Sequence, residues 1–283
     1  MNRLKINLLN LEISYLEKNE NLSQTILCLH ALGHSSDDYN KLFLDNRFND
    51  NRFNDYRIIA LDFPSHGNSS DGNKKISTKY YADITESFIK ALNLKNIILL
   101  GNSIGGGVAI RLAADKKNNI QLLQLANSAG LDKRGIIGKI FIKFMVFCFK
   151  TGVKKKKFYP KLFNYYYNNV LSEKEADKRR NEIVSKSFDL APILVQGWKS
   201  FALKSEDLRT IVSEVECPTL VTYAMKDKKV QYNRNIDGIK KFKDLKLLKY
   251  QVGHTPILES SKQFLDDLLL FIQQKKQKHY LHY

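Results

Sequence analysis

"LLGNSIGGGVAI", residues 99–110, decides how the chain is read. An apolar run ends at Gly101, Ser103 follows two residues later, and Gly105, Gly106 and Gly107 lead into an apolar segment suited to open a helix. A serine between glycines at a strand end has two readings. One is a tight strand-to-helix turn and nothing more. The other is a nucleophile on a strained elbow, for which Gly101-Asn102-Ser103-Ile104-Gly105 supplies the G-x-S-x-G pattern between a strand and a helix. The glycines then serve a turn that crowds neighbouring backbone. The helix N-terminus behind the serine offers amide N–H groups to a developing oxyanion.

Working outward, short apolar runs occur at 25–30, 56–62, 96–101, 120–128, 219–224 and 245–251. Runs apolar on both faces suit a parallel sheet covered on both sides. Helices are expected at 36–44, 77–92, 104–116 and 257–273, which makes the order βαβα and the architecture α/β, doubly wound. The opening "LKINLLNLEISYLE" reads as two strands of an antiparallel edge hairpin. The pentapeptide NRFND occurs twice in tandem, at 46–50 and 51–55, and reads as a tolerated loop insertion.

Composition narrows the class further. The 283 residues suffice for one large domain or one domain with an insertion, and no uncharged apolar run reaches the 18 residues of a membrane span. The N-terminal stretch lacks a continuous apolar core and a small-residue cleavage site, so no secretory signal is read. Cys28, Cys148 and Cys217 are odd in number and unpatterned, which fits a reducing, cytoplasmic location. The net charge is +17, and residues 132–205 carry 17 Lys+Arg against 6 Asp+Glu, so this middle segment differs from its flanks.

A nucleophilic serine needs a base, and the histidines are His30, His34, His66, His254, His279 and His282. His279 and His282 sit in a polar tail. His254 lies in "QVGHTPILES", after the last strand run and before the last helix, at the sheet edge where ligand sites of open α/β sheets gather. The base needs an acid to set its tautomer. Asp227 follows the strand in "CPTLVTYAMKDKKVQ", and the order Ser103, Asp227, His254 is the one expected for a nucleophile elbow on this kind of sheet. The rival position after the sixth strand holds Asn127, which cannot carry the charge that stabilises an imidazolium; Asp132 is a reserve.

These landmarks together resemble the α/β-hydrolase superfamily over nearly the whole chain outside the middle segment. "LHALGHSS" is similar to the family's His-Gly oxyanion loop and "LDFPSHGNS" to its D-x-P-G-H-G-x-S turn. "GNSIGG" is similar to its elbow, and "CPTLVTYAMKD" with "GHTPILE" to its acid and histidine segments. The resemblance implies backbone oxyanion donors at Leu32 and Ile104, structural roles for Asp62 and His66, and no metal or organic cofactor. Two family glycines are replaced, by Ala31 and Ser65. Alanine does not easily adopt a positive φ, which bears on the placement of the Leu32 amide.

The resemblance also implies that the insertion after the sixth strand is a helical lid, dividing the chain into core 1–131, lid 132–205 and core 206–283. A helix over 136–157 would bring Lys139, Lys143, Lys150, Lys154 and Lys157 into about a 60° arc, with Ile, Phe, Met and Val around the rest and Gly152 as an interruption. That pattern fits a lid helix with its apolar face on the pocket, and it allows weak contact with an anionic membrane surface. Nucleic acid is not expected, because the ten aromatics in 141–167 fall mainly on the apolar side.

The expected function is a serine hydrolase with a Ser103-His254-Asp227 triad, acting on a carboxylic ester or thioester with an apolar acyl group. One alternative is a carbon–carbon bond hydrolase of ring-cleavage products, whose "GNSMGG" elbow "GNSIGG" resembles. The others are an acyltransferase and a non-enzymatic binding protein on the same fold.

Overall fold

The computed structural model describes residues 1–44, 53–72, 74–133 and 135–280, so most of the NRFND repeat lies outside the described residues. Strand β1 (Asn2–Leu8) pairs with β2 (Leu11–Lys18), and the two residues between them, Leu9 and Asn10, both have positive φ, as a two-residue hairpin turn requires. The remaining strands are β3 (Gln24–Leu29), β4 (Arg57–Leu61), β5 (Lys95–Asn102), β6 (Ile120–Ala126), β7 (Thr219–Ala224) and β8 (Leu245–Tyr250). They form one eight-stranded sheet in the order β1-β2-β4-β3-β5-β6-β7-β8. The hairpin joins antiparallel at β2–β4, and every later pairing is parallel.

The apolar runs become strands because β3, β4 and β5 are buried on both faces: Ile26, Leu27, Ile58, Ile59, Leu99 and Leu100 are all fully inaccessible. Helices flank the sheet: α1 (Asn40–Leu44), α2 (Thr78–Ala91) and α3 (Ile104–Ala114) come before β6. Ser77 caps α2 by accepting the Tyr80 N–H. Two expected boundaries shift for local reasons. The β6 run stops at Ala126 because Asn127 turns at φ +41°. The last helix is split at Ser260 into α9 (Pro256–Glu259) and α10 (Ser261–Tyr280), while α8 (Tyr232–Ile239), unforeseen, fills the β7–β8 connection. No helix among the described residues is long and apolar enough to cross a membrane.

Between β6 and β7 the described residues form four α-helices, α4 (Ile136–Val153), α5 (Tyr159–Asn168), α6 (Asp177–Ser185) and α7 (Ser187–Ser200). The helix expected over 136–157 therefore ends at Val153. Gly152 does not interrupt it; a Cβ there would sit 2.3 Å from the Tyr159 ring, so the glycine lets that ring pack against the helix. The chain then turns at Lys155 (φ +50°), which takes Lys154 and Lys157 off the arc of Lys139, Lys143 and Lys150. The expectation that the apolar face of α4 is covered holds for half of it only. Ile142, Met145 and Phe149 are buried, whereas Ile136, Ile137, Ile140, Phe144 and Phe147 face solvent. Several bonds tie this segment to the carboxyl edge of the strands. Val170 accepts the His254 N–H at 2.7 Å, Glu259 accepts the Ser172 N–H at 2.6 Å, and Arg179 donates to Asp38 at 2.8 Å.

Candidate active site

Ser103 sits between β5 and α3 with φ +55° and ψ −116°, a conformation that costs a non-glycine residue on the order of 1–3 kcal/mol. Three backbone bonds hold it there: its N–H donates to Ala126 at 3.0 Å, and its carbonyl accepts from Gly107 at 3.1 Å and Ala129 at 2.9 Å. The flanking glycines answer a steric demand. A Cβ on Gly101 would lie 2.5 Å from the Gly105 carbonyl oxygen, and one on Gly105 would lie 2.2 Å from that of Leu29. Between the two readings of the opening segment, the geometry is that of a strained elbow.

His254 follows β8. Its ring Nδ1 lies 2.6 Å from Asp227 Oδ2, with the carboxylate fully buried. A proton on Nδ1 donated to Asp227 leaves Nε2 as the acceptor on the other side of the ring. Asp227 is bonded on both oxygens. Asn127 Nδ2 donates to Oδ2 at 2.5 Å, and the Lys229 and Val230 amides donate to Oδ1 at 2.7 and 3.2 Å. Burial pushes this carboxyl up, but the His254 ring and these donors together hold it below the usual carboxylate range.

Sequence reasoning treated Asn127 only as a failed acid. In the structure it holds Asp227 instead: its Oδ1 accepts the Ala224 N–H at 2.7 Å while its amide grips Asp227. Asp132 lines the same cavity as Ser103 and His254 and stands 3.9 Å from the Arg234 guanidinium. Two further supports were missed. Asn102 donates to Thr255 Oγ1 at 3.3 Å, linking the elbow to the histidine loop. Glu259 gathers amides of both the histidine loop (Gly253, Thr255) and the four-helix segment (Ser172, Glu173), and burial raises its pKa. The signal for Glu259 was present in "GHTPILE", since a carboxylate five residues past the histidine can reach back over one turn.

Ser103 and His254 line one cavity, of about 940 Å³ with its mouth included, together with Leu32, Phe141, Ile142 and Trp198. Lys229 also lines it, 5.0 Å from the centre of the Tyr166 ring, and burial lowers its pKa. The amides of Leu32 and Ile104 find no acceptor among the described residues, which leaves both able to donate to a ligand. Ala31 does not have a positive φ; that role falls to Gly33 (φ +77°), whose amide donates to His66 Nε2 at 3.0 Å. The second glycine replacement is the strained one, with Ser65 at φ +65° and its hydroxyl accepting the Gly72 N–H at 2.7 Å. In another histidine–carboxylate pair, His34 Nδ1 to Asp38 Oδ2 at 2.6 Å, the histidine borders the same cavity and the carboxylate is locked by Arg179. Among the described residues no His/Cys/Asp/Glu cluster is arranged to hold a metal ion.

His30 and His66 brace the loops beneath. The Nε2 of His30 accepts the Phe63 N–H at 3.0 Å, and Asp62 accepts the amides of Ser36 and Asn68. Burial lowers the His30 pKa to about 4 and the His66 pKa to about 3, so both rings are neutral in the fold. In the unfolded chain they protonate near pH 6.5, so the stability they contribute is complete above about pH 6.5 and is lost as pH falls toward their folded values. The urea midpoint is therefore expected to fall steadily between about pH 6.5 and pH 4, above most carboxylate titration. A flat midpoint over that interval would contradict the buried neutral assignment.

A family model described as the alpha/beta hydrolase fold matches residues 24–145. A Mycoplasma genitalium protein provisionally named esterase/lipase 1 is 44% identical over 74 residues, 26% of this chain and 26% of that protein. An uncharacterized hydrolase of Bacillus subtilis is 27% identical over 156 residues, 54% of this chain and 55% of that one. The chain thus spans well under two thirds of the length of either relative. Among solved structures, a bacterial membrane phospholipase A superposes with a TM-score of 0.80 at 20% identity, over 96% of this chain and 86% of that one. An esterase from Exiguobacterium antarcticum follows with a TM-score of 0.78 at 18% identity, over 95% and 98% of the two chains. At those identities the superpositions speak for the fold.

Proposed function

Because the chain has the α/β-hydrolase fold and the family model matches residues 24–145, we propose that it belongs to that superfamily and is a serine hydrolase cleaving a carboxylic ester or thioester with an apolar acyl group. The observation that carries this reading is one juxtaposition: a serine on a strained elbow borders the same cavity as a histidine held 2.6 Å from a buried carboxylate. In the proposed cycle His254 Nε2 takes the Ser103 proton as Oγ attacks the acyl carbon. The tetrahedral oxyanion accepts from the amides of Leu32 and Ile104, each such donor being worth about 3 kcal/mol. Collapse expels the alcohol or thiol, which leaves with the proton from His254. A water activated by the same ring then releases the acid and frees Ser103. Asp227 stays ionised throughout and holds the ring in the productive tautomer.

The partner is a small acyl substrate, and the relatives' esterase/lipase naming supports that class. The helices α4–α7, within 132–205, serve as the lid: Phe141, Ile142 and Trp198 supply an apolar wall over Ser103. The three free cysteines support a cytoplasmic setting.

A panel of p-nitrophenyl esters tests the substrate class. Each buried CH₂ contributes about 0.8 kcal/mol, so two added methylenes should raise kcat/KM roughly tenfold. Acyl chains of about six to ten carbons should then exceed acetyl, since the wall is apolar. Acetyl winning would remove the apolar-acyl assignment.

One observation favours a second reading. Lys229, with no carboxylate paired to its ammonium among the described residues, faces the cavity beside Arg234 and could anchor a substrate carboxylate, as a ring-cleavage product carries. Including such a product in the same panel decides between carbon–carbon and ester cleavage.

A further inference from the structure

Helix α4 is apolar on nearly its whole circumference, yet it is covered on one side only. Its inner side, with Ile142, Met145 and Phe149, is buried, and Gly138, Phe141 and Ile142 border the cavity that holds Ser103. On its outer side Ile136 and Ile137 are each 79% exposed, Ile140 61%, Phe144 58% and Phe147 67%. At 100° per residue these five fall within about a 100° arc, and Lys139, Lys143 and Lys150 form the stripe immediately beside it. The chain beyond the helix adds Lys154, Lys155, Lys156 and Lys157, then an exposed Phe158. From 133 to 172 the sequence contains ten basic residues and no Asp or Glu. Among the described residues none of those lysines is paired with a carboxylate.

We propose that the outer face of α4 docks this protein on an anionic lipid bilayer, with the isoleucine and phenylalanine side chains in the acyl boundary and the lysines on the headgroups. The two stripes side by side match what an interfacial helix presents, apolar inward and cationic at the rim. At 18 residues the helix is about 27 Å long and lies in the plane of the surface. The charge pattern selects lipid over the competing occupants. A second copy would bring an uncompensated lysine array against its own kind, and a nucleic acid would have no use for five exposed aliphatic and aromatic side chains. Docking places the roof of the Ser103 cavity against the membrane. The inference goes beyond the hydrolase reading, because the surface and its test are independent of turnover.

Vesicle co-sedimentation of the whole protein tests it. Vesicles of equal parts phosphatidylglycerol and phosphatidylcholine should pellet the protein at least about tenfold more effectively than pure phosphatidylcholine, and about 1 M NaCl should release much of it. Two triple variants separate the contributions: Ile140→Ser with Phe144→Ser and Phe147→Ser, and Lys139→Gln with Lys143→Gln and Lys150→Gln. Each should lower binding to the anionic vesicles about tenfold with an unchanged thermal melt, because the side chains are exposed. Three results would overturn the proposal: no binding to the anionic vesicles, equal binding to both lipid compositions, or triple variants that bind as the parent does. Loss of a concentration-dependent dimer in the apolar variant, measured by sedimentation velocity, would assign the face to a second copy and equally overturn it.

Discussion

Ser103→Ala should reduce ester turnover by about 10⁶-fold in kcat while the protein still folds. Removing the nucleophile of a triad costs the whole covalent route, leaving only the roughly 10³–10⁴-fold acceleration that the oxyanion donors and binding provide over water. Folding should persist, because the hydroxyl of Ser103 carries none of the backbone bonds that fix the elbow; these run through its N–H and carbonyl. Alanine keeps the positive φ at similar cost, so the thermal midpoint should move little. A fluorophosphonate probe should label the parent at Ser103 and leave the variant unlabelled. Labelling at another serine, or a variant with parental kcat, would end the assignment of Ser103 as nucleophile.

Asp227→Asn should lower kcat by about 10⁴-fold, with a much smaller change in KM. The carboxylate accepts from the ring Nδ1 and from three further donors: Asn127 and the amides of Lys229 and Val230. An asparagine amide presents a donor where the ring requires an acceptor, so His254 is driven to the tautomer with its proton on the serine side. Asp132→Asn should change kcat less than about twofold, since Asp132 faces Arg234 at 3.9 Å rather than the histidine. If the Asp132 variant were the more damaged of the two, the acid would belong after β6 and Asp227 would be a structural carboxylate. Asn127→Ala is a sharper probe of positioning than of chemistry. It leaves Asp227 in place but removes a 2.5 Å bond, so it should depress kcat and shift the pH profile of kcat/KM.

The parallel core was legible because its central strands β3, β4 and β5 are buried on both faces and so read as nearly unbroken apolar runs. The elbow was legible because its glycines satisfy a local steric demand, contacts under 3 Å with backbone a few residues or one strand away. The edge hairpin was legible for the same reason, from a turn whose residues are sequence neighbours. What failed depended on distant partners. The helix over 136–157 ended at Val153 because the turn at Lys155 is set by how α5 returns against it, and Gly152 was misread because its purpose is the Tyr159 ring.

By itself, then, the sequence determined the α/β class, the alternation of strands and helices along the chain, the strand–serine–helix elbow at Ser103, and the chain order in which Asp227 and His254 follow it. These rest on periodicity and on sterics between near neighbours, which any chain carries with it. Only the tertiary structure decided that Asn127 grips Asp227, and that Glu259 and Asn102 brace the histidine loop. It also decided that Ala31 is relaxed while Ser65 carries the strain, and that half of the apolar surface of α4 meets solvent. The Asn127 and Asn102 outcomes depend on which groups meet across a hundred residues or more, and the α4 outcome on which face of the helix finds a neighbour. Apart from its lysine stripe α4 is apolar all round, so its sequence marks one exposed edge but not which of the remaining faces is buried.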